Sequence, residues 1–294
     1  MANPVLTPER FEREGASGPG WASTAGPSSG AATQTAAGTA AGGGGRFGSI
    51  PDVPHEGPTM TLGGSMTAIG VLFSIILAAG AFGWIQVDQT SEARIDPETG
   101  QEVMVNTTSM PGWLLVAVLV GFGLAILTIV KPKLSPFTAP AYALAYGTAL
   151  GAISAVYNSE WNGIVVQAIG ATLAVFFVMF FLYATRIIKV TKKYVAVVVA
   201  ATLGIFVMYA VTWIATLFGA DIMFWNEPSA LGIGISVVIV IVAALNLGID
   251  FAFIEQASKA DAPKYMEWFG AFGVTVTVVW LYLEILRLLS LLRQ

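Results

Sequence analysis

The chain is poor in the residues on which most water-soluble chemistry depends. It has no cysteine, which excludes disulfides, thiolate metal sites and a cysteine nucleophile. Its single histidine, His55, lies in a Pro/Gly-rich stretch typical of a surface segment. Only 11% of the residues are charged, whereas soluble domains carry about 25%. We therefore expect no enzyme and no resident cofactor, and the lack of a basic tract argues against a nucleic-acid partner.

What remains is largely apolar. The 294 residues are 55% hydrophobic, with a mean hydropathy of +0.74. Seven stretches are long enough to cross a bilayer, which takes about 20 residues. They lie near 65–87, 113–130, 135–157, 163–185, 194–218, 230–253 and 268–291. The sequence therefore predicts an all-α polytopic membrane protein, a bundle of seven transmembrane helices whose principal partner is the lipid bilayer.

The N-terminal residues are of a different composition. The run "GASGPGWASTAGPSSGAATQTAAGTAAGGGG" has almost no side chain to bury, so residues 1–60 are predicted to be a disordered tail before a transmembrane domain at 61–294. A signal peptide would need a longer apolar core, so we expect the first helix to act as the targeting signal. The tail is interpreted either as a flexible extension or as a contact for a partner protein.

The distribution of positive charge predicts the orientation. Eight cations lie at alternate connections, and the opposite connections carry one, Arg94, among several acids. The eight are Lys131, Lys133, Arg186, Lys189, Lys192, Lys193, Lys259 and Lys264. Because Lys and Arg stay on the cytoplasmic side, the N-terminus is predicted to be cytoplasmic and the C-terminus outside. The longest outer connection, 88–110, is predicted to be a solvated acidic loop.

Small residues at a spacing of four predict where helices approach closely. In the third helix these are Ala143, Gly147, Gly151 and, on the same side, Ser154. In the first helix they are Gly70, Ser74 and Ala78. Both sets are interpreted as packing seams.

Two apolar stretches each carry one carboxylate: "AALNLGID" ends at Asp250, and "WLYLEILRLL" contains Glu284. At about 100° per residue, each acid continues a stripe of small and polar residues. The stripes are Gly232, Ser236, Ala243, Asn246 and Asp250 in helix six, and Gly270, Gly273, Thr277, Glu284 and Arg287 in helix seven. The simplest packing turns the two stripes toward each other or toward a shared cavity.

Three interpretations of the acids stay open from the residues alone. Each acid pairs with a nearby cation, such as Arg287 for Glu284, or lies near an interface and reaches water, or forms a site for protons or cations. If the two carboxylates are close, they share a proton and titrate as a unit. With Asn246 they offer oxygen ligands for a cation. Binding would be weak and transient, because calcium prefers six to eight oxygen ligands.

Longer blocks resemble a known family. "GIDFAFIEQ", "WLYLEILRLLSLLR", "APAYALAYGTALGAISAVY" and "NGIVVQAIGATLAVFFVMFFLYATRIIKVT" are similar to the transmembrane Bax inhibitor motif family, in its bacterial YccA-like branch, as is the opening "MANPVLTPERF". The resemblance implies seven helices with the seventh central, a bacterial plasma membrane, and a pH-dependent calcium leak gated by Asp250 and Glu284. It also implies that Lys133 pairs with the acid site, and that Gln167 replaces an acid of some relatives.

The spacing of the acids departs from that of small bacterial relatives. In a tight hairpin Asp250 would face about residue 274, well short of Glu284. The two acids reach one depth only if residues 255–265 project into the cytoplasm or lie along the interface. Glu255 is then a rival to Asp250 as the helix-six acid, although the stripe favours Asp250.

The first functional hypothesis is therefore a pH-sensitive calcium leak channel or cation/proton exchanger. Calcium and protons would be its ligands, and a carboxylate pair its gate. The alternative is a regulator without transport that binds another membrane protein, such as a membrane protease. An intramembrane aspartyl protease is a third option, but the familiar motifs for that chemistry are absent.

Overall fold

The protein is described by a computed structural model that covers 57–87, 111–219 and 228–294 in full and 89–95 and 102–108 as backbone. Residues 1–56 of the predicted tail lie outside the described residues. Within the described residues, seven α-helices follow in order: α1 (Leu62–Ile85), α2 (Trp113–Val130), α3 (Ser135–Glu160), α4 (Ile164–Ala184), α5 (Lys192–Leu217), α6 (Ala230–Lys259) and α7 (Met266–Leu291). All seven are long and apolar enough to span a membrane, which confirms the predicted fold class.

The connection between α1 and α2 contains a β-hairpin that the sequence analysis treated as a loop. Strand β1 (Gln89–Ile95) pairs antiparallel with β2 (Glu102–Thr108), and Gln89 lies opposite Thr108. Both strands contain Thr, Val or Ile, whose branched side chains suit an extended backbone. A single 3-10 turn, Pro132–Leu134, joins α2 to α3.

Helix α7 lies at the centre of the bundle. It packs against α1, α3, α4 and α6, and with α3 it is among the most buried spans. Helices α2 and α5 are the least buried and present most of their apolar side chains outward. This arrangement agrees with the central position of the seventh helix that the family resemblance implied.

The closest helix contact joins α1 to α3 through glycine. A Cβ on Gly151 would lie 1.9 Å from the carbonyl oxygen of Gly80, and one on Gly83 would lie 2.0 Å from that of Thr148. The α3 seam is confirmed, because its four predicted residues are all buried: Ala143, Gly147, Gly151 and Ser154. The α1 seam was wrong, because the predicted residues are exposed: Gly70, Ser74 and Ala78. Helix α1 carries small residues on several sides, so spacing alone does not select the packed face.

The residues just before α1 are fastened to the α6–α7 connection. The Met60 N–H donates to the Ala262 carbonyl (2.7 Å), and the Lys264 N–H donates to the Pro58 carbonyl (3.1 Å). Met60 is only 2% exposed. Residues 58–60 therefore pack against the helical domain, on the N-terminal side of the predicted boundary at 60.

Glu267, in the first turn of α7, completes this attachment. Its Oε1 accepts from both the N–H and the hydroxyl of Thr61, at 2.9 and 3.0 Å. The Thr61 hydroxyl in turn caps α1 by accepting from the Gly64 N–H. A carboxylate at a helix N-terminus also balances the positive end of the helix dipole.

Candidate functional site

The geometry of the acids follows from the length of α6. The helix continues to Lys259, six residues beyond the predicted end at 253, and α7 begins at Met266. Residues 255–259 therefore extend the helix and do not project as a separate loop. Helices α6 and α7 form a tight hairpin in which Asp250 lies level with Gly273 and Thr277. The predicted stripes face each other, since Ser236 of α6 also bonds Arg287 of α7.

Asp250 forms the first of two acid sites. Its Oδ2 accepts a hydrogen bond from the Thr277 hydroxyl at 2.6 Å. A Cβ on Gly273 would lie 3.2 Å from Oδ1, so this glycine lets the α7 backbone approach the carboxyl. Asp250 is partly buried and forms no ion pair with any cation of the fully described segments. It is thus an acid held inside the α6–α7 hairpin by a neutral hydroxyl.

Glu284 forms the second site, with a cation beside it. The Tyr209 hydroxyl of α5 donates to Glu284 Oε1 at 2.5 Å, and Arg287 Nη2 lies 3.3 Å from Oε2. Arg287 also donates to the Tyr209 hydroxyl (2.9 Å) and to the Ser236 hydroxyl (3.0 Å). Both charged side chains are nearly buried, with exposures of 7% and 12%. This corresponds to the interpretation in which Glu284 pairs with a nearby cation.

The two acids are separate sites. Thr277, the partner of Asp250, precedes Glu284 by seven residues on α7, a rise of about 10.5 Å. Each carboxyl is held by different side chains. The expected proton-sharing pair is therefore not formed, because the continuous α6 places Asp250 about two turns short of Glu284.

Glu255 does not compete for either site. Its carboxylate accepts from the Tyr183 hydroxyl and is paired with Arg186 (2.6 Å) and Lys259 (2.5 Å). The paired cations are 65% and 68% exposed, so this cluster lies at the membrane surface. Glu255 thus joins the C-terminal end of α4 to that of α6 and is not the partner of Glu284.

Of the other predicted site residues, Asn246 lies near Asp250, whereas Lys133 and Gln167 contact neither acid. Asn246, one turn from Asp250, donates to the Thr202 hydroxyl of α5 and to the Val242 carbonyl, both at 2.8 Å. Lys133 is exposed and has no ion pair within the described part of the chain, so the implied pairing with the acids is absent. Gln167 is also exposed, and it accepts from Arg293 at 2.8 Å.

Tyr209 is a contact of Glu284 and Arg287 that the sequence pattern does not predict. The only signal was a hydroxyl-bearing ring within the apolar run "FVMYAVTW" of α5. Across the described segments, no group of three or more His, Cys, Asp or Glu is placed to hold a metal ion. A cation at Asp250 would thus depend on one carboxylate, the Thr277 hydroxyl and water.

The fold and the site together define an integral membrane protein with seven spanning helices and acids between the last two. Residues 3–294 match the family described as Bax inhibitor 1 like, and the chain belongs to that family. A comparison with curated protein sequences finds no match.

Proposed function

We propose that the protein is a pH-sensitive cation leak channel or cation/proton exchanger, with calcium as the permeant ion and Asp250 as the principal site. The observation that carries this proposal is the Asp250 carboxyl, held inside the α6–α7 hairpin by Thr277 and without an ion pair to any cation of the fully described segments. Charged groups within the bilayer are costly and tend to mark ion or proton pathways when they are retained. Membership of the Bax inhibitor 1 like family is consistent with this role.

The chemistry follows from the ligands at hand. The Asp250 carboxylate and the Thr277 hydroxyl are hard oxygen ligands of the kind that calcium prefers, and water would complete the shell. So few protein ligands make the site weak, which suits a permeant ion that must also leave. Protons and calcium compete for the same carboxylate oxygens, so occupancy of the site by calcium varies with pH.

Glu284 has a different role in this proposal. Its charge is balanced by Arg287, and its carboxyl ties α5 to α7 through Tyr209. Glu284 therefore holds α5 in position beside the pathway. Asp250 is the acid that is available to bind the ion, because its carboxyl is not paired with a described cation. The site belongs in a bacterial plasma membrane with the N-terminus cytoplasmic, an orientation supported by the exposed cations at the α4–α5 connection.

Calcium flux into proteoliposomes across a pH range tests the proposal. Asp250→Asn should abolish most of the flux and its pH dependence, because an amide provides no anionic ligand. Glu255→Gln is the matched control, since it removes an acid from the same helix at the paired surface cluster. Flux through Asp250→Asn equal to that of wild type and control would reject Asp250 as the site.

The alternative is a regulator that binds another membrane protein without transport. It is favoured by the attachment of residues 58–60 to the α6–α7 connection, which brings the start of the described helical domain beside the acid-bearing helices. Deletion of residues 1–56 separates the two proposals, because the attached residues stay in place. A regulator should lose capture of its membrane partner, whereas a channel should keep its flux.

A further inference from the structure

An apolar cleft lies between α5 and α6, and neither Asp250 nor Glu284 lines it. Its volume is about 640 Å³, within the range of roughly 300–1,000 Å³ typical of ligand pockets. Its eleven lining residues are all aliphatic, methionine or glycine. They include Gly204, Ile205 and Met208 of α5, and Leu231, Gly234 and Val238 of α6. Such a lining offers no hydrogen bond and therefore selects a hydrocarbon ligand.

Two glycines create the room. A Cβ on either Gly204 or Gly234 would meet no atom within 4 Å. Helix α5 is held to α6 nearby by polar contacts, such as that between Thr202 and Asn246 at 2.8 Å. The two helices are thus joined at the edge of the cleft while the space beside the glycines stays open.

The length and position of the cleft identify its occupant. Its α6 wall runs from Ala230, the first residue of the helix, to Val242, a rise of about 18 Å over twelve steps. One leaflet contributes about half of the roughly 30 Å hydrocarbon core, or about 15 Å. The cleft therefore runs from one membrane surface to about the bilayer centre, which is the reach of one acyl chain.

The cleft is also continuous with the surface that faces lipid. Two of its lining residues, Leu231 and Val238, are 60% and 56% exposed. We propose that the α5–α6 cleft is a binding site for one acyl chain of a bilayer phospholipid in the leaflet where α6 begins. The proposal does not rest on the proposed ion pathway, and its test reads lipid binding alone.

The experiment uses the full chain in nanodiscs containing a phosphatidylcholine with a photoactivatable diazirine on one acyl chain. After illumination, mass spectrometry locates the labelled residues. Labelling of wild type should concentrate on 201–208 and 230–242 above the level of the exposed face of α2. Uniform labelling of all lipid-facing helices would overturn the proposal.

A pair of double variants supplies the second arm. Gly204→Leu with Gly234→Leu fills the cleft without a backbone clash, so labelling there should fall to the level of the α2 face. Gly70→Leu with Gly123→Leu is the matched control, because both glycines are exposed outside the cleft with no atom within 4 Å of a Cβ. Retained labelling in the filled variant, with both variants monodisperse, would also overturn the proposal.

Discussion

Arg287 and Glu284 should depend on each other for stability. The Arg287 Nη2 to Glu284 Oε2 distance is 3.3 Å, and the side chains are 12% and 7% exposed. Removing one partner of a buried ion pair leaves the other charge uncompensated, at a cost of about 3–5 kcal/mol. Arg287→Met also removes the donors to Tyr209 and Ser236, so the upper part of that range is expected for it.

The double variant Glu284→Gln with Arg287→Met removes both charges. It should be less destabilised than the sum of the single variants, with a coupling free energy of about 3 kcal/mol. The assay is reversible unfolding in mixed micelles of dodecyl maltoside with increasing sodium dodecyl sulfate, followed by tryptophan fluorescence. Each vertex of the cycle is measured under identical conditions.

The Glu255–Lys259 pair provides the matched cycle. It has a shorter separation, 2.5 Å, but its lysine is 68% exposed. An exposed pair of this spacing on a helix contributes about 0.3–0.5 kcal/mol. Equal coupling in both cycles, or additive effects at Arg287 and Glu284, would refute the argument that burial makes the inner pair interdependent.

Two further stability predictions can be read from the same unfolding assay. Gly151→Ala should destabilise the protein by about 1–3 kcal/mol or more, because its Cβ would lie 1.9 Å from an α1 carbonyl oxygen. Gly123→Ala, in open space on α2, should instead stabilise the protein by up to about 1 kcal/mol through helix propensity. A Gly151→Ala variant that is more stable than Gly123→Ala would contradict the close α1–α3 contact. Thr61→Val should cost about 1–2 kcal/mol, because it removes the α1 cap and the hydroxyl contact with Glu267, whereas exposed Thr67→Val should be near neutral. Equal effects would contradict the role of Thr61 in attaching α1 to α7.

Apolar length was enough to predict the helical architecture. Both ends of the span 113–130 were predicted to the residue, and most other observed helix ends lie within about three residues of the predicted ones. Differences of one or two residues are expected, because helix ends fray. The end of α6 differs more, because "IEQASK" after Phe253 is polar and was assigned to the connection. These residues continue the helix because Glu255 pairs with Lys259 one turn later and with Arg186 of the α4–α5 connection.

That one boundary decided the relation between the acids. The facing stripes were predicted correctly, since their residues are small or polar on otherwise apolar helices, and Asp250 meets Thr277 as a result. The position of each acid along the bundle axis depends on the register between α6 and α7. A residue pattern along one helix does not predict that register. Tyr209 was missed for a similar reason, because α5 carries no acid to draw attention to the face that meets Glu284.

The most direct measurement is the initial rate of calcium entry into proteoliposomes that contain the Asp250→Asn variant, relative to Glu255→Gln reconstituted at the same density. If the Asp250 carboxyl binds the permeant ion, entry through Asp250→Asn falls close to the rate of empty liposomes, while Glu255→Gln conducts as wild type does. Equal rates in the two variants would contradict the assignment of Asp250 as the ion site.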